Sequence, residues 1–146
     1  MSGMAQWGYF WLNREQGDAG SGLSCNVSLT KLADRTTYRI ALQGGYGEDY
    51  FTAENLGATR YNRVIGSISH RLRKRITLGM DGTVQRTEFL DSNRDDWFWR
   101  VGGRVSYQLF QWLTLSVEVY HIEENSNIND LSYTENRGRL RIRAAL

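Results

Sequence analysis

The chain has 146 residues, which is room for one ordinary domain, and its formal net charge is only +2. A charge so close to neutral does not provide the broad basic field that a nucleic-acid-binding protein needs. No stretch approaches the roughly 18 consecutive apolar residues that a membrane-spanning helix requires. The single Cys25 excludes an internal disulfide framework, and the absence of proline suits long, uninterrupted strands.

The first two predicted strands cover residues 4–12 and 22–32. In the first segment, Trp7, Tyr9 and Trp11 share one face. In the second, the apolar residues Leu23, Cys25, Val27 and Leu29 alternate with Ser24, Asn26 and Ser28. A period of two indicates strands with one apolar and one polar face.

Six further segments repeat this alternation more clearly. Their apolar faces are the even positions of 38–46, 64–72, 76–84 and 138–146 and the odd positions of 97–109 and 113–121. On these faces only His70 and His121 can carry a charge, whereas the opposite faces carry Arg, Asp, Glu, Ser, Thr, Gln and Gly. A helix would show a period near 3.6, so eight strands are predicted.

The connections between these strands alternate in length. Three are short (residues 33–36, 71–75 and 110–112), and four are long and polar (13–21, 47–59, 88–96 and 124–133). Bacterial outer-membrane barrels have short periplasmic turns and long extracellular loops. The pattern therefore predicts an all-β, antiparallel, up-and-down transmembrane β-barrel in the bacterial outer membrane, with both ends of the chain in the periplasm.

A soluble barrel of the lipocalin type has the same alternation, with its apolar face turned inward, so alternation alone leaves both architectures open. Three features favour the membrane barrel: aromatic residues near both ends of the strands, the asymmetry of the loops, and a last strand that ends on an apolar residue. Tyr38 and Tyr46 are eight residues apart, as are Trp99 and Tyr107. At about 3.3 Å per residue and a tilt near 40°, eight residues span roughly 20 Å, close to the height of the apolar band.

The C-terminal stretch resembles the last strand of bacterial outer-membrane proteins, in which apolar residues alternate back from the terminus. Leu146, Ala144, Ile142 and Leu140 have this spacing, although the usual terminal Phe is Leu here. A closer likeness lies in the runs Trp112-Leu-Thr-Leu-Ser-Val-Glu-Val-Tyr120, Asn125-Ser-Asn127 and Tyr133-Thr-Glu-Asn-Arg137. These runs resemble the β-barrel porins associated with exopolysaccharide systems, in about the last third of the chain.

The resemblance implies a lipid bilayer as the surroundings and recognition of the C-terminal strand by the outer-membrane assembly machinery. Such porins are usually larger, so we expect residues 1–146 to be either a single β-barrel domain or the C-terminal eight-strand portion of a larger barrel. A barrel of this kind must be exported, and residues 1–4 do not form a signal peptide. A signal peptide is therefore expected to have been removed, unless the chain is a fragment.

The candidate functional residues line the polar face. We expect eight arginines to point inward, against three inward acids, Asp81, Glu118 and Glu135. The interior of an eight-strand barrel is just filled by side chains, and unpaired charges there would each cost several kcal/mol. The imbalance favours a wider, anion-attracting pore, and a packed network of ion pairs remains the alternative. The candidate pore-lining residues are Arg39, Arg63, Arg100, Arg104, Arg137, Arg139, Arg141, Arg143, Asp81 and Glu118.

Other chemistry has little support in the sequence. The run Asp91-Ser-Asn-Arg-Asp95 has the spacing that opens a calcium loop, but no glycine or closing glutamate follows. His70 and His121 lie near opposite strand ends on the apolar face, so we predict no enzymatic site, no metal and no cofactor.

Two functions follow. The first is a porin-like, arginine-lined channel for an anionic solute or polysaccharide, without nucleic acid as a partner. The second is a non-conducting eight-strand barrel that anchors surface loops for adhesion or partner binding.

Overall fold

The computed structural model describes residues 1–12, 20–49, 57–90 and 92–145. These residues form eight antiparallel strands in one sheet, and the order of the strands in the sheet is their order in the chain. The strands are β1 (Ser2–Leu12), β2 (Gly20–Ala33), β3 (Thr36–Asp49), β4 (Gly57–Arg73), β5 (Ile76–Phe89), β6 (Asp95–Phe110), β7 (Leu113–Ser126) and β8 (Tyr133–Ala144). This arrangement confirms the predicted all-β, up-and-down architecture.

Helical structure is minor in the described part of the chain. A single turn of 3₁₀ helix, Asn129–Leu131, lies between β7 and β8. No helix there is long and apolar enough to cross a membrane.

Several strands extend beyond the segments that the sequence predicts. β4 already pairs with β3 at Gly57 and with β5 at Thr59, and Glu124 on β7 still pairs with Tyr133 on β8. The predicted long connections were therefore too long, because backbone pairing continues after the outward side chains become polar. Parts of two of these connections, residues 13–19 and 50–56, lie outside the described residues, as do Asp91 of the calcium motif and Leu146.

The two faces of the sheet follow the predicted alternation. Direct pairs on the outward face are apolar, as between Val64 and Val84, Val105 and Val117, or Val117 and Leu140. No other part of the described chain covers the outward face at Val117, and this residue is 50% exposed. The inward face pairs polar residues, such as Arg63 with Gln85.

The outward apolar band crosses the sheet diagonally. Outward residues joined by direct pairing run from Lys31 on β2 through Tyr38, Ile68, Met80, Gly103 and Val119 to Gly138 on β8. The next such row towards the long loops runs from Leu29 to His121 and Asn136. The first row is charged only at β2, and the second is polar only at β7 and β8. A band that is level in the membrane can cross the rows of paired residues in this way only if the strands are tilted, as barrel strands are by about 35–45° from the barrel axis.

Aromatic side chains border this band on both sides. Trp97 and Trp99 lie towards the long connections, and the Trp99 ring is 5.0 Å from the ring of His121. At the short turn between β6 and β7, the rings of Phe110 and Trp112 stack at 5.5 Å. The distribution matches the two aromatic girdles of a membrane barrel.

The two edge strands are unpaired along their outer sides. Among the described residues, β1 pairs with β2 and β8 pairs with β7, and no pairing joins β1 to β8. The sheet is thus open, with backbone donors and acceptors available at both edges.

The first prediction tests the assignment of the two faces. Arginine at Val117 should impair folding into lipid bilayers by about 2–4 kcal/mol, because it places a charge on the lipid-facing side near mid-depth. Arginine at the neighbouring Ser116, whose hydroxyl lies 2.9 Å from that of Ser106 on the inward face, should cost less. Folding yields measured in urea titrations with lipid vesicles would check this order. The reverse order would show that the outward and inward faces are assigned the wrong way round.

Candidate functional site

The candidate site is the inward wall of the sheet. The register places all eight predicted arginines on this face, with Arg39 on β3, Arg63 on β4, two on β6 and four on β8. Asp81 and Glu118 lie on the same face, on β5 and β7. Because strands keep a period of two over their full length, these side chains share one surface.

Glu118 is the centre of the wall. Its side chain is only 2% exposed, and three guanidinium groups from the two neighbouring strands surround it. The nitrogen atoms of Arg104 and Arg139 lie 4.0 Å from its carboxylate, and that of Arg141 lies 3.4 Å away. The Tyr120 hydroxyl donates a 2.8 Å hydrogen bond to the same carboxylate.

This cluster leaves positive charge uncompensated, because one carboxylate carries one negative charge and three arginines face it. The three arginine side chains remain 44%, 50% and 40% exposed. These side chains are therefore partly accessible, while the carboxylate of Glu118 is buried. The arrangement presents a net positive surface around a buried negative centre.

A second ion pair lies nearer the long connections. Arg100 donates a 2.9 Å hydrogen bond to Asp81, and its guanidinium lies 5.2 Å from the centre of the Tyr120 ring. The Nε atom of Arg100 is buried and has no hydrogen-bond partner in the described part of the chain. Tyr120 thus links this pair to the Glu118 cluster, through its ring on one side and its hydroxyl on the other.

The remaining predicted arginines are held in different ways. Arg63 donates to the side-chain oxygen of Gln85 at 2.7 Å, and Arg137 pairs with Glu135 at 2.9 Å. Arg39 and Arg143 make no ion pair or side-chain hydrogen bond within the described residues. The three inward acids counted in the sequence each have an arginine partner, yet they are too few for the eight arginines.

Sequence reasoning missed part of the wall. Asp96 and Glu124 were assigned to loops, but they belong to β6 and β7 and face inward. Asp96 is buried and pairs with Arg94 at 2.6 Å, and Glu124 is the direct cross-strand partner of Tyr133. Continuing the period of two beyond the apolar band would have found both acids. The role of Tyr120 was not visible in the sequence, since it depends on cross-strand packing.

A cavity of about 460 Å³ opens on the inward face near the long connections. Its lining comes from β4 to β7 and includes Arg63, Thr83, Phe98, Arg100 and Glu124. Four consecutive strands that share one cavity form a concave surface, as expected for the interior of a barrel wall.

The two histidines are outward residues on separate strands. His70 lies 2.8 Å from the Thr36 hydroxyl, and His121 lies 2.8 Å from the Asn136 side chain. Within the described ranges, no group of three or more His, Cys, Asp or Glu side chains could hold a metal ion.

An open, up-and-down sheet with an apolar outward face, two aromatic girdles and a charged inward wall defines a membrane β-barrel of the porin type. The family model described as "Putative beta-barrel porin 2" matches residues 2–146. The chain therefore belongs to this β-barrel porin family, which is not a family of enzymes. No curated protein and no solved structure matches the chain.

The second prediction concerns Glu118. Replacing it with Gln should lower the free energy of unfolding by about 1–3 kcal/mol, because the buried carboxylate that accepts the Tyr120 hydrogen bond and separates three guanidinium groups loses its charge. The matched variant Glu135→Gln breaks an exposed pair and should cost at most about 1 kcal/mol. Urea unfolding of both variants in detergent micelles would measure the difference. Equal stabilities would show that Glu118 does not organise the wall.

Proposed function

We propose that the chain forms the wall of a porin-like channel in the bacterial outer membrane, and that this wall favours anionic solutes or an anionic polysaccharide. The observation that carries the proposal is the excess of positive charge on the inward face. The eight predicted arginines and Arg71 lie on the same face as the three predicted acids and the two further acids Asp96 and Glu124, of which Asp96 is already paired with Arg94. Charges of one sign along a low-dielectric wall concentrate counterions, and rings of Arg or Lys are a known device for anion passage.

The shortage of acidic partners supports a water-filled lumen. Three arginines share the single carboxylate of Glu118, and Arg39 and Arg143 have no acidic partner among the described residues. A dry interior would leave these charges without solvation, at a cost of several kcal/mol each. A hydrated lumen removes that cost.

The open sheet supports a barrel with more strands than these eight. An eight-strand barrel has no room for an aqueous channel, whereas barrels of 16 to 18 strands do. Further strands paired to the edges of β1 and β8 would satisfy their free backbone groups and widen the lumen. We therefore propose that residues 1–146 are a portion of a larger barrel.

The ion pairs on the wall are the observation in favour of the second candidate, a non-conducting barrel that anchors surface loops. Asp81 with Arg100 and the cluster at Glu118 are contacts that a packed interior would also contain. The two functions differ in conductance, which only the channel has.

The third prediction measures ion selectivity in planar bilayers under a salt gradient. The wild-type reversal potential should indicate a preference for anions. Changing Arg39 and Arg143 to Glu should reduce or reverse this preference, because two positive charges are replaced by two negative charges and the net charge of the wall falls by four units. These two positions are suitable because neither pairs with an acid in the described part of the chain, whereas Arg139 and Arg141 border Glu118, where acidic substitutions would disturb packing.

The matched control reverses two outward cations, Lys31 and Arg73, which pair with the outward residues Tyr38 and Ile76. This control should leave the reversal potential nearly unchanged. A conducting Arg39→Glu/Arg143→Glu variant with the wild-type preference would refute the arginine-lined channel. A wild-type protein that folds and never conducts would favour the anchoring barrel.

The fourth prediction concerns orientation. Protease added to intact cells should cut first in the connection that contains Asn129–Leu131, which joins β7 to β8 on the side of the long loops. The short turn at Lys74 and Arg75 should be protected until the outer membrane is opened, because short turns are periplasmic in this class. Fragment masses would identify the sites. Early cutting at Lys74 or Arg75 alone would reverse the proposed orientation.

A further inference from the structure

The charge of the inward wall changes along the strands. Over β4 to β8, the half next to the short turns carries five inward arginines and one acid, Glu118; these arginines are Arg71, Arg104, Arg139, Arg141 and Arg143. The half next to the long connections carries Arg63, Arg100 and Arg137 with four acids, Asp81, Asp96, Glu124 and Glu135. Over these five strands, the excess positive charge thus lies in the half of the wall next to the short turns.

A cavity of about 420 Å³ lies at this end. Three cations at the end of β4 and in the turn between β4 and β5 line it, namely Arg71, Lys74 and Arg75. The rest of its lining consists of neutral hydrogen-bonding side chains: Thr77, Ser106, Gln108 and Thr114. The lining contains no acid, and none of the three cations has an acidic partner within the described residues.

Backbone hydrogen bonds fix the residues that form this cavity. The Gln108 amide donates to the Arg75 carbonyl at 2.9 Å, which ties the turn to β6. The Arg71 amide donates to the Arg35 carbonyl at 2.7 Å, which ties the same turn to the turn between β2 and β3. The cations therefore extend from a braced turn, and binding a ligand would not require the turn to be ordered first.

A row of directly paired residues extends from this cavity across the wall. Arg71 pairs directly with Thr77, Thr77 with Ser106, Ser106 with Ser116, and Ser116 with Arg141. Neighbouring strands are about 4.8 Å apart, so three residues with hydroxyl groups lie between the backbones of Arg71 and Arg141, which are roughly 19 Å apart. Guanidinium groups bind oxyanions through paired N–H donors, and hydroxyl groups donate to the remaining oxygens.

From this geometry we infer that the short-turn mouth of the wall contains a binding site for a soluble oxyanion of the phosphate type, formed by Arg71, Lys74 and Arg75 with the hydroxyl groups of Thr77 and Ser106. Lipid headgroups have the same chemistry, but the lining faces inward, away from the bilayer. The site deepens the proposed function, on which its role in permeation rests: it would collect anions at one mouth and make passage asymmetric. Binding itself does not require an open pore.

The test uses the full chain folded in zwitterionic detergent, with inorganic pyrophosphate as the probe and calorimetry as the measurement. Wild-type protein should bind pyrophosphate saturably, and the affinity should fall as sodium chloride is added, because salt screens exposed charges. The variant Arg71→Gln/Lys74→Gln/Arg75→Gln should bind at least tenfold more weakly. If that variant does not fold, Lys74→Gln/Arg75→Gln provides the same comparison with two charges removed.

The matched control is Arg73→Gln, which removes a charge from the same turn but on the outward face, where it pairs with Ile76. Its affinity should stay within twofold of wild type. A variant that keeps the charges, Arg71→Lys/Arg75→Lys, should retain most of the binding.

Three results would overturn the site: no saturable binding by wild type, an equal loss in Arg73→Gln, or displacement of pyrophosphate by phosphatidylglycerol added to the micelles. The last result would assign the cations to a lipid headgroup. Failure of the anion preference in bilayers, with pyrophosphate binding intact, would instead reject the proposed channel and leave this site standing.

Discussion

The antiparallel hydrogen-bond ladder is the constraint on which the other features of this protein depend. Each strand must pair its backbone groups with its neighbours, and the pleat then sends successive side chains to opposite faces. An apolar outward face and a charged inward face are thus consequences of one register, which runs from β1 to β8 and shifts beside two of the short turns, at Arg71/Arg73 and at Gln108/Phe110. A slip of one residue in a single strand would place its arginines among lipid. The position of every charge on the wall therefore depends on correct pairing.

The Glu118 cluster illustrates how the hydrogen-bond ladder sets the positions of charged side chains. Arg104 and Arg139 pair with Glu118 from opposite sides, since their strands flank β7. A single buried carboxylate thereby restrains several arginines without cancelling their charge. The same device limits the repulsion between neighbouring guanidinium groups. A wall that is both stable and positively charged needs such a compromise between pairing and exposure.

The ends of the wall differ because the two kinds of connection differ. Inward acids concentrate where the strands lead into the long connections, and the short turns supply cations such as Arg71, Lys74 and Arg75. An anion in a lumen lined by this wall would meet an attractive potential that grows towards the short turns. The open edges of β1 and β8 matter for the same reason, because the width of the completed barrel decides how much of this potential water screens.

The sequence by itself determined the strand count, the up-and-down order and the face of every predicted pore residue, because all three follow from a period of two interrupted by turns. The alternation placed Arg139 and Glu118 on the same face. It did not show that they are direct cross-strand partners, because a period of two carries no information about register. It also began β6 too late and ended β7 too early, and so missed Asp96 and Glu124, because alternation in hydrophobicity stops where the apolar band stops, whereas backbone pairing does not. Only the tertiary structure decided which arginines share Glu118, that Tyr120 joins two ion pairs, and that positive charge gathers at the short turns. These features depend on contacts between residues far apart in the chain, which the cross-strand register alone brings together.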